Sequence, residues 1–296
     1  MKLEFRDLTL DDKKIFDKYH KYLPEPYGSE FCFPLVFIEN VYGTTQICDV
    51  GDMAFIRLLW SGRRIYFPPM LKDIKKFSQA INLMEQEAQR ENTPLEIRLV
   101  VEQQAKLFDR SKYEITDNTA LADYFYDTND LIHLAGKKFH SKRNFITRFY
   151  NSYKNYTFRE YNKKKDRKNI MQLLIKWDAS TLHEKWAVED KLISRALDHH
   201  MELDLKIAVL YVGTSLVAFS INYVGGSEIA YTFFEKADTD YIGAYQVINQ
   251  RTAELFFKDT RTVNRQSDMD IEGLRKAKLS YKPVKLLHKY KVQHRN

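Results

Sequence analysis

A chain of 296 residues is longer than most single cores and fits two domains of average size. With 44% apolar and 29% charged residues it can bury a core throughout, which excludes a disordered chain. Its formal charge of +7 favours an anionic partner such as RNA, phosphate groups or a lipid surface, against the plainer alternative of a generally basic exterior. Cys32 and Cys48 lack the spacing of a disulfide framework or a zinc site, and no metal is expected. Asp7, Asp11 and Asp12 interrupt the start where a secretory signal needs an apolar run, and the most apolar stretch, 207–224, is broken by Gly213, Thr214, Ser215, Ser220 and Asn222. A cytoplasmic protein without a membrane span is expected.

In chain order, the first half predicts a strand at 3–8, a helix over 11–22 capped by Thr9, and several strands between Phe31 and Phe67. Pro68-Pro69 ends these strands; a helix follows over 72–90, then a strand at 95–101 beyond Thr93-Pro94, a short helix at 103–108 and a strand near Tyr113. Asp127 to Asp130 cap a long helix ending near Tyr153, with an apolar stripe (Leu131, Leu134, Phe145, Ile146, Phe149) and a basic middle. Beyond it come a strand at 156–161 and helices over 164–177 and 184–201, the second carrying Trp186, Ile193 and Leu197 at helical spacing. A three-strand meander between Lys206 and Lys236 turns at Gly213-Thr214 and Gly225-Gly226. A helix over 242–257, a strand around 262–264, a helix over 271–279 and a strand at 284–292 complete the chain.

Strand, helix, helix, meander, helix, strand, helix, strand is the element order of the GNAT fold, the N-acyltransferase architecture, and the first half is a looser copy of it. The expected class is α/β (α+β), with two tandem GNAT-like domains, each a mixed, mostly antiparallel sheet flanked by helices. The expected bounds are 1–127 and 155–296, joined by a basic linking helix at 128–154.

Three segments stand out chemically. In the basic helix, Lys138 and Lys142 lie four apart, as do His140 and Asn144, and with Lys137 and Arg143 they make a cationic ridge suited to phosphates, against the alternative of a solvated face. The polar run from Asn264 to Tyr281 follows a predicted strand, where α/β sheets bind ligands; Arg275 and Lys278, three apart, can converge on one phosphate or carboxylate, and Asp268 and Asp270 can equally be caps. At the start of the helix after the fourth strand, where a glycine-rich loop would cradle the pyrophosphate of an acyl-CoA, the sequence reads Asp240-Tyr241-Ile242-Gly243-Ala244-Tyr245. Gly243 alone keeps the pattern, so no cofactor is expected and acyl-CoA is disfavoured.

The run DTNDLIHLAGKKFHSKRNFITRF (127–149) and the run VNRQSDMDIEGLRKAKLSYKPVKLLHKYKV (263–292) resemble a bacterial family similar to the C-terminal, cytosolic domain of the phosphatidylglycerol lysyltransferases. These enzymes, like the Fem-type aminoacyltransferases, have two GNAT-like domains and move an amino acid from aminoacyl-tRNA to a lipid or peptide. The resemblance implies that Lys137, Lys138, Lys142 and Arg143 track the tRNA end. Arg275 and Lys278 would then hold an anionic group beside the reacting ester, with Asn264 a donor and Arg265 and Tyr281 lining the substrate. Asp268 or Glu228 would bind the amino group or act as base. The implied function is aminoacyl transfer to a lipid, peptide or small-molecule acceptor, with peripheral contact to anionic lipid open. An acyl-CoA-dependent N-acyltransferase and a non-catalytic RNA- or surface-binding protein are the alternatives.

Overall fold

The computed structural model describes residues 2–23, 27–180, 188–226 and 228–295. The chain divides into two compact units whose bounds are not a simple halving. The first holds Met1–Asp123, Ser267–Glu272 and Leu286–Asn296, the second Tyr124–Gln266 and Gly273–Lys285.

In the first unit, strands β1 (Arg6–Asp7), β2 (Thr45–Asp49), β3 (Met53–Trp60), β4 (Arg63–Tyr66), β5 (Met70–Leu71), β6 (Glu96–Val101) and β7 (Tyr113–Asp117) are joined by β15 (Lys289–His294). The sheet order is β1-β2-β3-β4-β6-β15-β7, with β5 against β3. The pairs are antiparallel apart from β4 and β6, which are parallel at Tyr66 and Ile97. The buried side of α3 (Phe77–Arg90), including Ile81 and Met84, packs with Phe55, Tyr66, Val100 and Val292. Helix α1 (Lys13–His20) starts after a 3₁₀ turn, where the Asp12 carboxylate accepts from the Thr9 N–H at 2.8 Å. Residues 33–39, expected among the strands, form helix α2 (Phe33–Glu39) with Pro34 in its first turn. A short run that is apolar on every side carries no period to separate strand from helix, and proline at a helix start was the available cue. Helix α4 (Glu102–Ala105) is a single turn.

The second unit contains most of β8 (Asp123–Asp127), then β9 (Tyr156–Glu160), β10 (Lys206–Val212), β11 (Ser215–Val224), β12 (Ile229–Ala237) and β13 (Thr262–Asn264). They run in the order β8-β13-β12-β11-β10-β9, with β12 and β13 the parallel pair. The 128–154 segment is two helices, α5 (Thr128–His133) and α6 (His140–Ser152), separated by Leu134 and Gly136 with φ of 46° and 79°. Leu131, Leu134, Phe139, Ile146 and Phe149 are buried in this unit's core with Val247, Ile248 and Val263. The segment expected as a linker is therefore core of the second unit. The other helices are α7 (Lys163–Ser180), α8 (Glu189–Asp198), α9 (Ala244–Thr252), which runs on into a π-helical turn at Ala253–Phe257, and α10 (Glu272–Leu279). Trp186 lies outside the described residues. The single strand expected at 284–292 is two, β14 (Lys285–Leu287) and β15, and β15 belongs to the first sheet rather than the second.

Candidate functional site

β12 and β13 pair only from Ile229 opposite Thr262 to Tyr231 opposite Asn264, and β12 continues to Ala237 where β13 has ended. Beyond that point β12 has, among the described residues, no paired neighbour on this side, and the carboxyl ends of parallel strands are where α/β sheets place ligands. A bulge in β12 decides what faces that end. Phe234 pairs with Ile221 but Thr232 pairs with Asn222, so Phe233 is the extra residue. An inserted residue reverses the alternation of a strand. Ala230 before the bulge and Ala237 after it both lie in the core beneath α9, and Glu235 shares the parity of Ala237.

Glu235 is thereby brought to Arg265, the residue following β13. Arg265 Nη2 lies 2.9 Å from Glu235 Oε1, with only 12% and 11% of the two side chains exposed. Asn249 Nδ2, from α9, donates to the other oxygen of Glu235 at 3.0 Å. The Arg265 guanidinium carbon lies 4.9 Å from the Tyr281 ring centre and 5.5 Å from that of Tyr126. Burial alone would lower Arg265, but the Glu235 charge, the neighbouring phenols and the Glu235 hydrogen bond together outweigh it, so the guanidinium is held firmly charged. Burial raises both phenols and keeps them neutral.

Lys142, from α6, completes the cluster. Its Nζ donates to Ser280 Oγ at 2.6 Å and sits 4.1 Å from the same Tyr281 ring. Burial first, then the nearby Arg265 charge, pull Lys142 down to about 8. Lys278 is buried and donates through Nζ to the Arg265 carbonyl, while the Tyr126 hydroxyl donates to the Lys278 carbonyl at 3.0 Å. Gln266, directly after Arg265, has a positive φ of 56°, a conformation that costs free energy in residues other than glycine.

Of the residues expected from sequence, Lys142, Arg265, Lys278 and Tyr281 come together here. Asn264 is buried at the end of β13, where its Oδ1 accepts the Gln266 N–H at 2.8 Å. Arg275 is half-buried on α10. The ridge proposed across Lys137, Lys138, Lys142 and Arg143 is not continuous, because Lys137 and Lys138 sit in a 3₁₀ turn (Lys137–Phe139) ahead of α6 while Lys142 turns into the core. Lys137 is exposed, Lys138 pairs with Asp130 at 2.6 Å, and Arg143 donates to the Leu134 and Gly136 carbonyls, satisfying the end of α5. Asp268 belongs to the first unit, buried, with one oxygen accepting the Asp270 N–H at 2.8 Å as a local turn cap. Glu228 precedes β12 and is exposed 4.0 Å from Arg261. It is seven positions before Glu235, roughly 20 Å along an extended strand, and so stands apart from the cluster.

Gly243, the remnant of a phosphate loop, has a packing role. Its φ is +89°, and a Cβ there would meet the Phe145 carbonyl oxygen at 2.3 Å, so α6 and α9 approach each other across it. Glu235 and Asn249 went unremarked in the sequence, whereas Ser280 belongs to the polar run ending at Tyr281 and Tyr126 reads there as a core aromatic. Glu235 did carry a signal, as the lone acid in the mostly apolar strand 229–237, where only Thr232 and Lys236 are also polar. Among the described residues no group of three or more His, Cys, Asp or Glu side chains is placed to hold a metal ion. No described helix is long and apolar enough to cross a membrane.

The sequence profile of the family described as phosphatidylglycerol lysyltransferase, C-terminal, matches residues 25–293, nearly the whole chain. The chain belongs to that family. Among solved structures, a conserved protein of unknown function from Bacteroides thetaiotaomicron is 28% identical, with TM-score 0.91 over 99% of this chain and 100% of that one. The L-PGS of Bacillus licheniformis aligns at TM-score 0.67 and 16% identity over 96% and 92% of the two chains. A tandem GNAT protein from the clavulanic acid pathway aligns at TM-score 0.55 and 10% identity over 99% and 98%, and the fold is accordingly of the tandem GNAT kind. A Mycoplasmoides gallisepticum protein, MYCGA3080, is 24% identical over 187 residues, 62% of this chain and 60% of that relative, so the match spans less than two thirds of its length.

Proposed function

We propose that the chain transfers an aminoacyl group from aminoacyl-tRNA to an acceptor amine or hydroxyl, with the chemistry centred on the carboxyl ends of β12 and β13. The observation that carries this reading is the Arg265–Glu235 pair, fixed by Asn249 and Tyr281 in a chain of the lysyltransferase C-terminal family. In such a reaction the acceptor attacks the ester carbonyl and a new C–N or C–O bond forms. The ester C–O bond to the ribose breaks, and the proton lost by the acceptor ends on the ribose oxygen. The donor is already activated, so the protein has chiefly to orient the partners and to meet the oxyanion with fixed positive charge.

Arg265 suits the second task, since its orientation is set before substrate arrives. Lys278 and Arg275, three apart on α10, are proposed to hold the anionic part of the donor. The engagement of Gly243 with α6 favours this reading over one that uses acyl-CoA. The test is incubation of the protein with a mixed radiolabelled aminoacyl-tRNA pool and cell extract, run beside labelled acetyl-CoA. Label moving from tRNA to a product, with an Arg275→Ala variant at least a hundredfold slower, is expected. Label moving from acetyl-CoA alone, or from neither, overturns the proposal.

A further inference from the structure

Lys142 is a buried cation whose charge the second unit leaves unmatched. It is 9% exposed, and its Nζ touches the Ser280 hydroxyl and the face of Tyr281. Among the described residues no carboxylate lies within ion-pairing distance of it; Glu235 acts on it only from further away. Arg265, stacked on the same ring, spends Nη2 on Glu235 and leaves Nη1 buried without a hydrogen-bond partner. The second Glu235 oxygen is taken by Asn249. The Tyr281 and Tyr126 phenols stay protonated, and Lys278 brings a further cation rather than an anion. Two cations on one aromatic ring thus share one carboxylate, and that carboxylate is already committed.

An ammonium without a counter-charge in a low-dielectric setting is costly, and so is a buried donor without an acceptor. One small group with two oxygens and a negative charge satisfies both demands together. We infer that Lys142 and the Nη1 edge of Arg265, held against Tyr281, bind a single compact oxyanion, a carboxylate or phosphate-ester group carried by a substrate of the second unit. The origin of that group rests on the transfer reaction proposed above; the binding itself does not.

The probes are inorganic phosphate, dimethyl phosphate and acetate, titrated into the intact protein by calorimetry and by the shift in thermal midpoint. Saturable binding of at least one is expected, and the preferred probe separates a phosphate monoester, a diester and a carboxylate. Binding should weaken about tenfold from pH 7 to pH 9 as the Lys142 ammonium, at about 8, loses its proton next to Arg265, Glu235 and the two phenols. Lys142→Met should fold, should melt no lower than the parent without anion, and should show no midpoint rise with it. Lys142→Arg should keep the binding and lose the pH dependence. Absence of saturable binding in the parent overturns the inference, as does unchanged binding in Lys142→Met. If Lys142→Met fails to fold, pH-dependent binding in Lys142→Arg that matches the parent has the same force. Aminoacyl transfer without any anion response removes this site and leaves the transferase reading standing, and anion binding without transfer does the reverse.

Discussion

At the scale of single residues, the second unit is governed by a few buried charges whose partners are set by geometry. Glu235→Gln should destabilise the protein by about 3 kcal/mol, because it leaves the Arg265 guanidinium buried with its compensating charge gone. The urea midpoint measures this, and an unchanged midpoint would mean that Arg265 finds water instead. Asp166 behaves differently. Its fully buried carboxylate accepts from both Arg159 nitrogens, the Asn162 N–H and the Tyr211 hydroxyl, at 2.7 to 2.8 Å. Burial pushes it up, but the Arg159 fork and the other donors outweigh this and hold it below the usual aspartate range. A lowered folded pKa gives stability that is present above the unfolded value near pH 4 and disappears as pH falls through the folded one. Asp166→Ala should therefore cost about 2–4 kcal/mol at pH 7, with the difference from the parent shrinking in acid denaturation below about pH 4.

The residue scale also shows what could be read in advance. Lys142, Arg265, Lys278 and Tyr281 were visible as charged or aromatic members of two unusual polar runs. Glu235 and Asn249 were not, because what selects them is a one-residue bulge at Phe233 and the turn of α9, neither of which leaves a mark in spacing. Asp166 sits in a run of lysines that reads as a solvated face, yet it is the buried member of that run.

At the scale of elements, the close crossing of α6 and α9 makes Gly243 the sensitive point. Gly243→Ala should cost about 2–4 kcal/mol, since the new methyl group meets the Phe145 carbonyl and the backbone already occupies a left-handed conformation. A calorimetric scan tests it, and near-neutral behaviour would show that α6 can shift. The bend between α5 and α6 was hidden for a related reason. Apolar residues keep helical spacing through Leu134, and only Gly136 hints at an interruption; Arg143 then turns back to the carbonyls that the bend exposes. The meander, by contrast, was legible almost to the residue, because alternation and paired turn residues coincide there.

At the scale of the whole molecule, order along the chain and membership of a unit part company. The element list was readable, but the assignment of β15 to the first sheet was not, since alternation marks a strand without naming its neighbours. β15 pairs with both β6 and β7, Val292 lies in the first core, and Lys289 bridges Glu30 and Asp123 at 2.7 Å each, all buried. Removing residues 286–296 should abolish cooperative unfolding of the first unit, with amide exchange in β6 and β7 rising to the unprotected rate while β10 to β12 stay protected. Protection retained in β6 would show that the sheet tolerates the gap.

That arrangement carries a consequence for biosynthesis. The ribosome delivers β6 and β7 well over a hundred residues before the strand that sits between them, which starts only at Lys289. Until the later strand emerges, two edges with free backbone donors and acceptors wait side by side, open to a wrong partner. Nascent chains of this protein should thus depend on a holding factor for their first sheet through most of translation, whatever the stability of the finished fold.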